Sequence, residues 1–323
     1  MSLAVWPPIS PEDLKVKAAE SLERELEWIV QETMSLCYDL KHGIEDCYAL
    51  LAPIDPGSTL VMSTHRNEAV KGTITRVGTR IVKGTLNLQF RTLPPQQIII
   101  SPTEPIHLPA LDALHIHLTQ AIDLLGLTIS SSPPTAPALA SALTVLAESL
   151  AESAALLKGP SPSKADSDPA WQTASCPRHH FSPPIPGNMS FYMTLQESSI
   201  VLWLRALEPA GVPVNFGLKL GLAIGTVRRL EHDEMDVVFR YNPDGDGGCE
   251  PKRGGGGGGA ATGEPPMSGK KQQTEDVYVR EKVRIESADP SLISLHSKLG
   301  YLSHMLGQAR HNLAAVMGLD LES

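Results

Sequence analysis

The side chains that come nearest to a recognisable chemical motif lie in a stretch rich in aspartate and glycine. The run Asn242-Pro243-Asp244-Gly245-Asp246-Gly247 resembles the first half of an EF-hand calcium loop. Such a loop needs a bidentate glutamate at its twelfth position, but that position is Arg253 in this chain. The flanking segments also lack the apolar periodicity of helices. The sequence therefore favours an ordinary loop over a calcium site.

A second candidate is a group of zinc-type ligands, Cys176, His179 and His180. A structural zinc site needs four ligands, and no further Cys or His pair with metal-ligand spacing follows these three. His115 and His117 lie two positions apart on a predicted helix, so their side chains point in different directions. We predict no metal ion and interpret these histidines as surface or partly buried side chains.

Motifs for phosphate binding and for covalent catalysis are also incomplete. The segment Gly263–Lys271 ends in Ser-Gly-Lys-Lys, but Lys271 stands where a P-loop requires Ser or Thr, and the spacing is wrong. The chain has no G-x-S-x-G motif, and Asp233 and Glu234 lie in a charged turn. We therefore expect no catalytic residue, no cofactor and no enzymatic activity. An enzyme of unknown type is the least favoured alternative.

The charge of the chain argues against nucleic-acid binding. Its 323 residues carry a formal net charge of −9, whereas proteins that bind nucleic acids usually present a basic surface. The basic pairs Arg228-Arg229 and Lys270-Lys271 are too short to form such a surface.

The N-terminus and the cysteines predict a cytoplasmic protein. The first residues lack the basic region and apolar core of a signal peptide. No uncharged apolar stretch approaches the roughly 18 residues that a membrane span needs, and Lys219 interrupts a repeated GxxxG pattern that begins at Gly217. The cysteines form no CxxC pair, as expected of reduced thiols: Cys37, Cys47, Cys176 and Cys249.

Leucine-rich stripes at the two ends of the chain predict long helices that pack together. The C-terminal stripe follows a cap at Asp289 and Pro290 and stops before Gly318; its members are Leu292, Leu295, Leu299, Leu302, Leu306, Ala309, Leu313 and Val316. The N-terminal stripe comprises Leu22, Leu26, Ile29, Thr33, Leu36, Leu40, Ile44, Cys47 and Leu51. The first helix is acidic and the last is basic, which favours their pairing.

Two further helices and two groups of strands lie between these ends. The middle helices carry apolar faces at Leu111, Leu114, Leu118, Ile122 and Leu125, and at Leu139, Leu143, Leu146, Leu150 and Leu157. The first group of strands, an antiparallel meander, spans 59–64, 70–77, 80–90 and 96–101, with a turn at Gly78. The second has a hairpin that turns at Glu197-Ser198, followed by strands at 237–241 and 276–285.

These elements alternate in blocks and not as βαβ units, so we predict an α+β fold. It comprises a helical bundle, built from N-terminal, middle and C-terminal helices, and a separate antiparallel β-sheet domain. The predicted ranges are 10–52, 108–158 and 289–318 for the bundle, 58–102 and 188–287 for the sheet domain, 159–187 for a Pro/Ser-rich linker, and 242–274 for a disordered glycine-rich insert.

Several short motifs, taken in order, resemble the Rogdi family, whose fungal members are the second subunit of the RAVE complex. The motifs span most of the chain outside the linker and the insert: Glu25–Ile29, Val70–Gly72, Leu86–Leu88, Leu118–Leu125, Leu207–Pro209 and Asp289–Ile293. The resemblance implies an elongated molecule with a helical bundle and a β-sheet domain. The family is also called leucine-zipper-like, although an intramolecular bundle explains the stripes equally well.

The resemblance implies a non-enzymatic function through protein contacts. RAVE joins the peripheral sector of the vacuolar proton-pumping ATPase to its membrane sector. The implied partners are a large propeller-bearing subunit, a Skp-type adaptor and peripheral-sector subunits, with recruitment to the vacuolar or endosomal surface through those partners and no direct membrane insertion. No family residue is specific enough to assign a partner-binding site. The alternative is a general helical scaffold or trafficking adaptor unrelated to the pump.

Overall fold

A computed structural model describes most of the chain, in seven ranges: 10–51, 57–65, 68–131, 135–160, 175–210, 234–241 and 275–318. The calcium-like run, the P-loop-like segment, the GxxxG pattern and both basic pairs lie outside these ranges. So do Asp233, Cys249, the predicted insert at 242–274 and residues 161–174 of the predicted linker.

Four long helices occur in the described ranges: α1 (Pro11–Leu51), α2 (Pro109–Ser130), α3 (Ala136–Lys158) and α4 (Pro290–Met317). Each begins at the proline that its sequence offers, or one residue before it, because proline has no N–H to leave unsatisfied in the first turn. Ser10 caps α1, since its Oγ accepts the Asp13 N–H at 3.1 Å. Together with the antiparallel sheets, these helices confirm the predicted α+β fold.

The chain divides into two compact units. The helical unit comprises Met1–Ala49, His115–Ala154 and Leu295–Ser323, and the sheet unit comprises Leu50–Leu114 and Ala155–Ser294. The divisions fall within the four helices.

In the helical unit, α1 and α4 pack together as predicted. Gly43 lets them approach closely, because a Cβ built there would lie 2.5 Å from Cδ2 of Leu302. One turn further along, the Lys298 ammonium donates a 2.5 Å hydrogen bond to Oδ2 of Asp46. This contact holds the pKa of the Asp46 carboxyl below its usual value. The opposite charges predicted for the two helices therefore do meet.

The predicted stripes are confirmed in most positions. All positions of the α4 stripe are buried except Val316, which is half-buried. In α1 the buried side chains are those of Ile29, Thr33, Cys37, Leu40, Ile44, Cys47 and Leu51. Cys37 replaces the predicted Leu36, because a helix of 3.6 residues per turn drifts away from a strict heptad. The predicted α1 stripe also fails at its N-terminal end, since Leu22 is 53% exposed and Leu26 is half-buried.

The first sheet of the sheet unit is the predicted meander. Its strands are β1 (Ser58–Ser63), β2 (Val70–Val77), β3 (Arg80–Leu88), β4 (Gln96–Ile100) and β5 (Ile106–His107). Strands β1 to β4 pair antiparallel in chain order, and β5 pairs with β3. The predicted turn at Gly78 is confirmed, with a φ of 60° that glycine adopts without a Cβ clash.

The second sheet has the order β6-β7-β9-β8, and all its pairs are antiparallel. Its strands are β6 (Met189–Gln196), β7 (Ser199–Pro209), β8 (Glu234–Tyr241) and β9 (Glu275–Ala288). Glu197 and Ser198 have φ values of 48° and 60°, which is the hairpin turn that the sequence predicts. The strand β9 leads directly into α4.

Residues 175–187, which the sequence assigns to a linker, belong to the sheet unit and pack within it. Phe181 is buried and forms a bridge to Ile100 at the edge of β4. Its ring also contacts Phe191 edge to face, with 4.8 Å between the ring centroids. Although the sequence of this segment shows no periodicity, a few of its apolar side chains are buried, including Ile185.

One helix in the described ranges, α3, is long and apolar enough to cross a membrane by length and composition, with a mean hydropathy of 1.3. Its leucine face, which includes Leu143 and Leu150, is buried in the protein. A single such helix is weak evidence of a membrane span, because core helices of soluble proteins pass the same test.

Candidate interaction surface

The described structure does not gather the candidate ligands Cys176, His179 and His180 into a metal-type cluster. No cluster of three or more His, Cys, Asp or Glu side chains suited to a metal ion occurs in the described part of the chain. The imidazole of His180 hydrogen-bonds through Nδ1 to the Glu104 carbonyl at 2.9 Å. Burial lowers the pKa of His180. Its neutral ring therefore joins two loops of the sheet unit.

The two histidines of α2 point in different directions, as predicted. Nε2 of His115 lies 3.1 Å from the Tyr48 hydroxyl on α1, while Nε2 of His117 lies 3.7 Å from a Glu152 carboxylate oxygen on α3. Each histidine thus connects α2 to a different neighbouring helix, and we assign both a structural role.

Two thiols of α1 lie in the core. Cys37 and Cys47 are both completely buried. Burial raises the pKa of Cys37 to about 11 and that of Cys47 to about 12, because a thiolate is poorly solvated there. Their protonated form is favoured in the folded state.

We expect neither thiol to react with iodoacetamide in the folded protein at pH 8. The unperturbed pKa of a cysteine thiol is near 9. Each buried thiol therefore makes its full contribution to folding stability below pH 9, and this contribution is lost as the pH rises through 11 to 12. Peptide mass spectrometry after a pulse of reagent should find both cysteines unmodified, and both modified after unfolding in urea. Rapid modification in the folded state would contradict their placement in the core.

A buried ion pair organises the junction where α4 begins, and the sequence did not predict it. The side chains of Arg76 and Asp289 have no exposed surface, and Nε of the arginine donates to Oδ2 of the aspartate at 2.6 Å. Nη1 of Arg76 donates to the carbonyls of Leu51 at 3.0 Å and Gly78 at 2.5 Å. The sequence predicts Asp289 only as a helix cap.

That capping role is also confirmed. Oδ1 of Asp289 accepts the Ser291 N–H at 2.9 Å and the Ser58 hydroxyl at 3.2 Å. One carboxylate therefore accepts a backbone N–H in the first turn of α4 and balances the positive charge of Arg76 on β2. A buried arginine within a strand of alternating residues is a weak signal, so the sequence alone could not pair it with a residue more than two hundred positions away.

The surface of the helical unit carries an apolar groove along one side of α1, which we call the α1 groove. It is lined by Glu23, Leu26, Glu27, Val30, Gln31, Met34, Ser35 and Tyr38 of α1, and by Ala136 at the start of α3. Tyr38 is 57% exposed. Partly exposed aromatic and methionine side chains are typical of surfaces that bind other proteins.

Four glutamates run along the groove and beyond it toward the start of α1, and we call them the acidic stripe. They are Glu12, Glu20, Glu23 and Glu27, which recur at helical spacing and are all exposed. In the described residues, none of the four carboxylates has a salt-bridge partner. The exposed surface of α1 is thus apolar within the groove and negatively charged along the rim of the groove and toward the start of the helix.

These features define an α+β protein with a helical unit, an antiparallel sheet unit and an exposed apolar groove that is flanked by glutamates. Residues 25–314 match the profile of the family described as Rogdi leucine zipper containing protein. Since the match covers most of the chain, the protein belongs to the Rogdi family. No curated protein matches the chain significantly.

Proposed function

We propose that this protein is an assembly factor for the vacuolar proton-pumping ATPase and acts as the second subunit of a RAVE complex. It would promote association of the peripheral and membrane sectors of the pump through contacts, without catalysing a reaction. Its partners would be the large propeller-bearing RAVE subunit, the Skp-type adaptor and peripheral-sector subunits. It would reside in the cytoplasm and reach the vacuolar or endosomal surface through those partners.

Membership of the Rogdi family is the observation that carries this proposal, because the match covers residues 25–314 and hence both compact units. The α1 groove supports a role in protein association, since it exposes apolar side chains on an acidic helix. The proposal does not require a membrane-spanning segment, because partner subunits would supply the membrane contact.

Deletion of the gene in the native cell tests this function. We expect both sectors of the pump to be present at normal levels, but poorly joined after conditions that force them to separate and reassemble. Organelle acidification, followed with a pH-sensitive dye, should recover slowly, and the full-length chain should restore it. In parallel, a tagged copy should co-purify with the large RAVE subunit.

Normal sector association and acidification after deletion, together with co-purification of no RAVE or pump subunit, would overturn the proposal. Co-purification of vesicle-coat or cytoskeletal proteins in their place would favour the alternative of a general scaffold or trafficking adaptor.

A further inference from the structure

The apolar stripe of α1 continues beyond the part that the other helices cover. Ile29 is 7% exposed and Leu40 is completely buried, but Leu22 on the same side of the helix is 53% exposed. Leu26, between them, is half-buried. A helix that keeps its core pattern past its covered region presents an unfilled packing surface.

The α1 groove lies directly beside this uncovered stripe. From Glu23 to Tyr38, α1 rises about 22 Å, which is about four helical turns. Its apolar lining residues Leu26, Val30, Met34 and Tyr38 follow one another at intervals of four, so they form a continuous ridge along the helix.

The lining of the groove favours a helix as its occupant over an extended peptide. The backbone N–H and C=O groups of α1 are satisfied within that helix, so the groove offers side chains and no free strand edge. An extended peptide would gain no backbone hydrogen bonds there, whereas an amphipathic helix satisfies its own backbone and contributes only its apolar face.

The charge around the groove selects the kind of helix. Glu23 and Glu27 line it, and Glu12 and Glu20 extend the same row toward the start of α1. The first lysine in this row is Lys41, which lies past the groove. Its ammonium is 3.8 Å from Oε1 of Glu45. Lys15, Lys17 and Arg24 also lie on this part of α1, but they are outnumbered by its acidic residues, which are Glu12, Asp13, Glu20, Glu23, Glu25 and Glu27. The net charge beside the groove is therefore negative and would attract a cationic partner.

We infer that the α1 groove binds an amphipathic helix of another protein whose apolar face is flanked by lysine or arginine. This inference rests on the proposed function, because it assigns to the groove a contact by which the protein joins its assembly. The apolar side chains of the partner helix pack on Leu26, Val30 and Met34, and the cations of that helix pair with the acidic stripe. An anionic membrane surface is disfavoured by the same carboxylates, which would repel it.

The first test uses two synthetic helical peptides of about 18 residues, one of leucine and lysine and one of leucine and glutamate, with the same leucine spacing. We expect the full-length protein to bind the lysine peptide, measured by fluorescence anisotropy, at least about tenfold more tightly than the glutamate peptide. Raising the salt concentration to about 0.5 M should weaken binding, because the carboxylates are exposed to solvent. Equal affinity for the two peptides would overturn the inference.

Matched variants locate the binding. Met34→Lys places a charge inside the groove, and Glu23→Lys with Glu27→Lys reverses its rim. Leu127→Lys on α2, where the leucine is 72% exposed, and Glu148→Lys on α3 are the corresponding controls away from the groove. We expect the groove variants to lose at least about tenfold in affinity and the controls to lose little, with melting temperatures unchanged in all. Equal loss in the controls would overturn the inference.

The same variants separate this inference from the proposed function. If the wild-type chain captures the large RAVE subunit, the groove variants should not, and their capture of it would overturn the groove while leaving the function intact. If the wild type captures no RAVE or pump subunit but binds the lysine peptide as described, the groove stands and the function fails. Light scattering that shows a dimer abolished by Met34→Lys would assign the groove to a second copy and overturn the inference.

Discussion

Replacement of Asp289 by alanine is expected to lower the free energy of unfolding by about 3–5 kcal/mol, because it leaves Arg76 charged and buried without its carboxylate partner. The cap of α4 is lost as well, which adds about 1 kcal/mol. A total of this size is a large share of the stability of an ordinary domain, which is about 5–15 kcal/mol. Urea denaturation followed by circular dichroism measures the effect.

Asp289→Ser separates the two roles of this side chain. A serine hydroxyl can still accept the N–H of Ser291 and cap the helix, but it supplies no negative charge to Arg76. We therefore expect Asp289→Ser to remain strongly destabilising. Combining it with Arg76→Met should restore part of the lost stability, since the unpaired charge is removed together with its partner.

The exposed pair between Asp46 and Lys298 provides the contrast. Its side chains are 47% and 34% exposed, and such pairs contribute little because both groups remain hydrated. Asp46→Ala should therefore shift the urea midpoint much less than Asp289→Ala. Similar shifts for the two variants, or a negligible effect of Asp289→Ser, would contradict the buried ion pair.

Leu299→Asp is expected to unfold or aggregate the protein at ordinary temperature. Leu299 is completely buried in the α4 stripe, so the variant loses apolar packing and places a carboxylate where nothing solvates it. An unpaired buried charge together with the lost side chain costs upwards of about 4 kcal/mol. Leu306→Asp should behave in the same way, since Leu306 is also completely buried.

Two further variants make this result interpretable. Leu299→Ala should remain folded but lose about 2–5 kcal/mol, which urea denaturation can measure even if Leu299→Asp yields no soluble protein. Tyr301→Asp, two residues along the same helix, replaces a side chain that is 62% exposed and should have little effect. Equal solubility and melting of Leu299→Asp and Tyr301→Asp would contradict the burial of the stripe.

The structure changes what is expected at Leu26. The sequence places it in the same stripe as Leu40, and a fully buried stripe would make Leu26→Asp as destabilising as Leu299→Asp. Because Leu26 is half-buried and lines the α1 groove, a carboxylate there keeps access to water. We now expect a small effect on stability.

Local pattern determined most of the secondary structure. The caps at Ser10 and Asp289, the turn at Gly78 and the leucine stripes depend on residues close in sequence, and their physical effects act over one or two turns of the chain. The hairpin turn between β6 and β7 and the strand character of β9 are local in the same sense. These features could be predicted because the residues that determine them are neighbours along the chain.

Tertiary structure alone decided which parts of those patterns are buried. Leu22 continues the stripe of α1 as regularly as Leu40, yet one is exposed and the other is not, because burial depends on where the covering helices end. The pairing of Arg76 with Asp289 has the same origin, since it joins residues from β2 and the start of α4 that are distant in sequence. The periodicity of a helix determines which side chains share a face, but only the packed chain determines whether that face is covered or remains open to a partner.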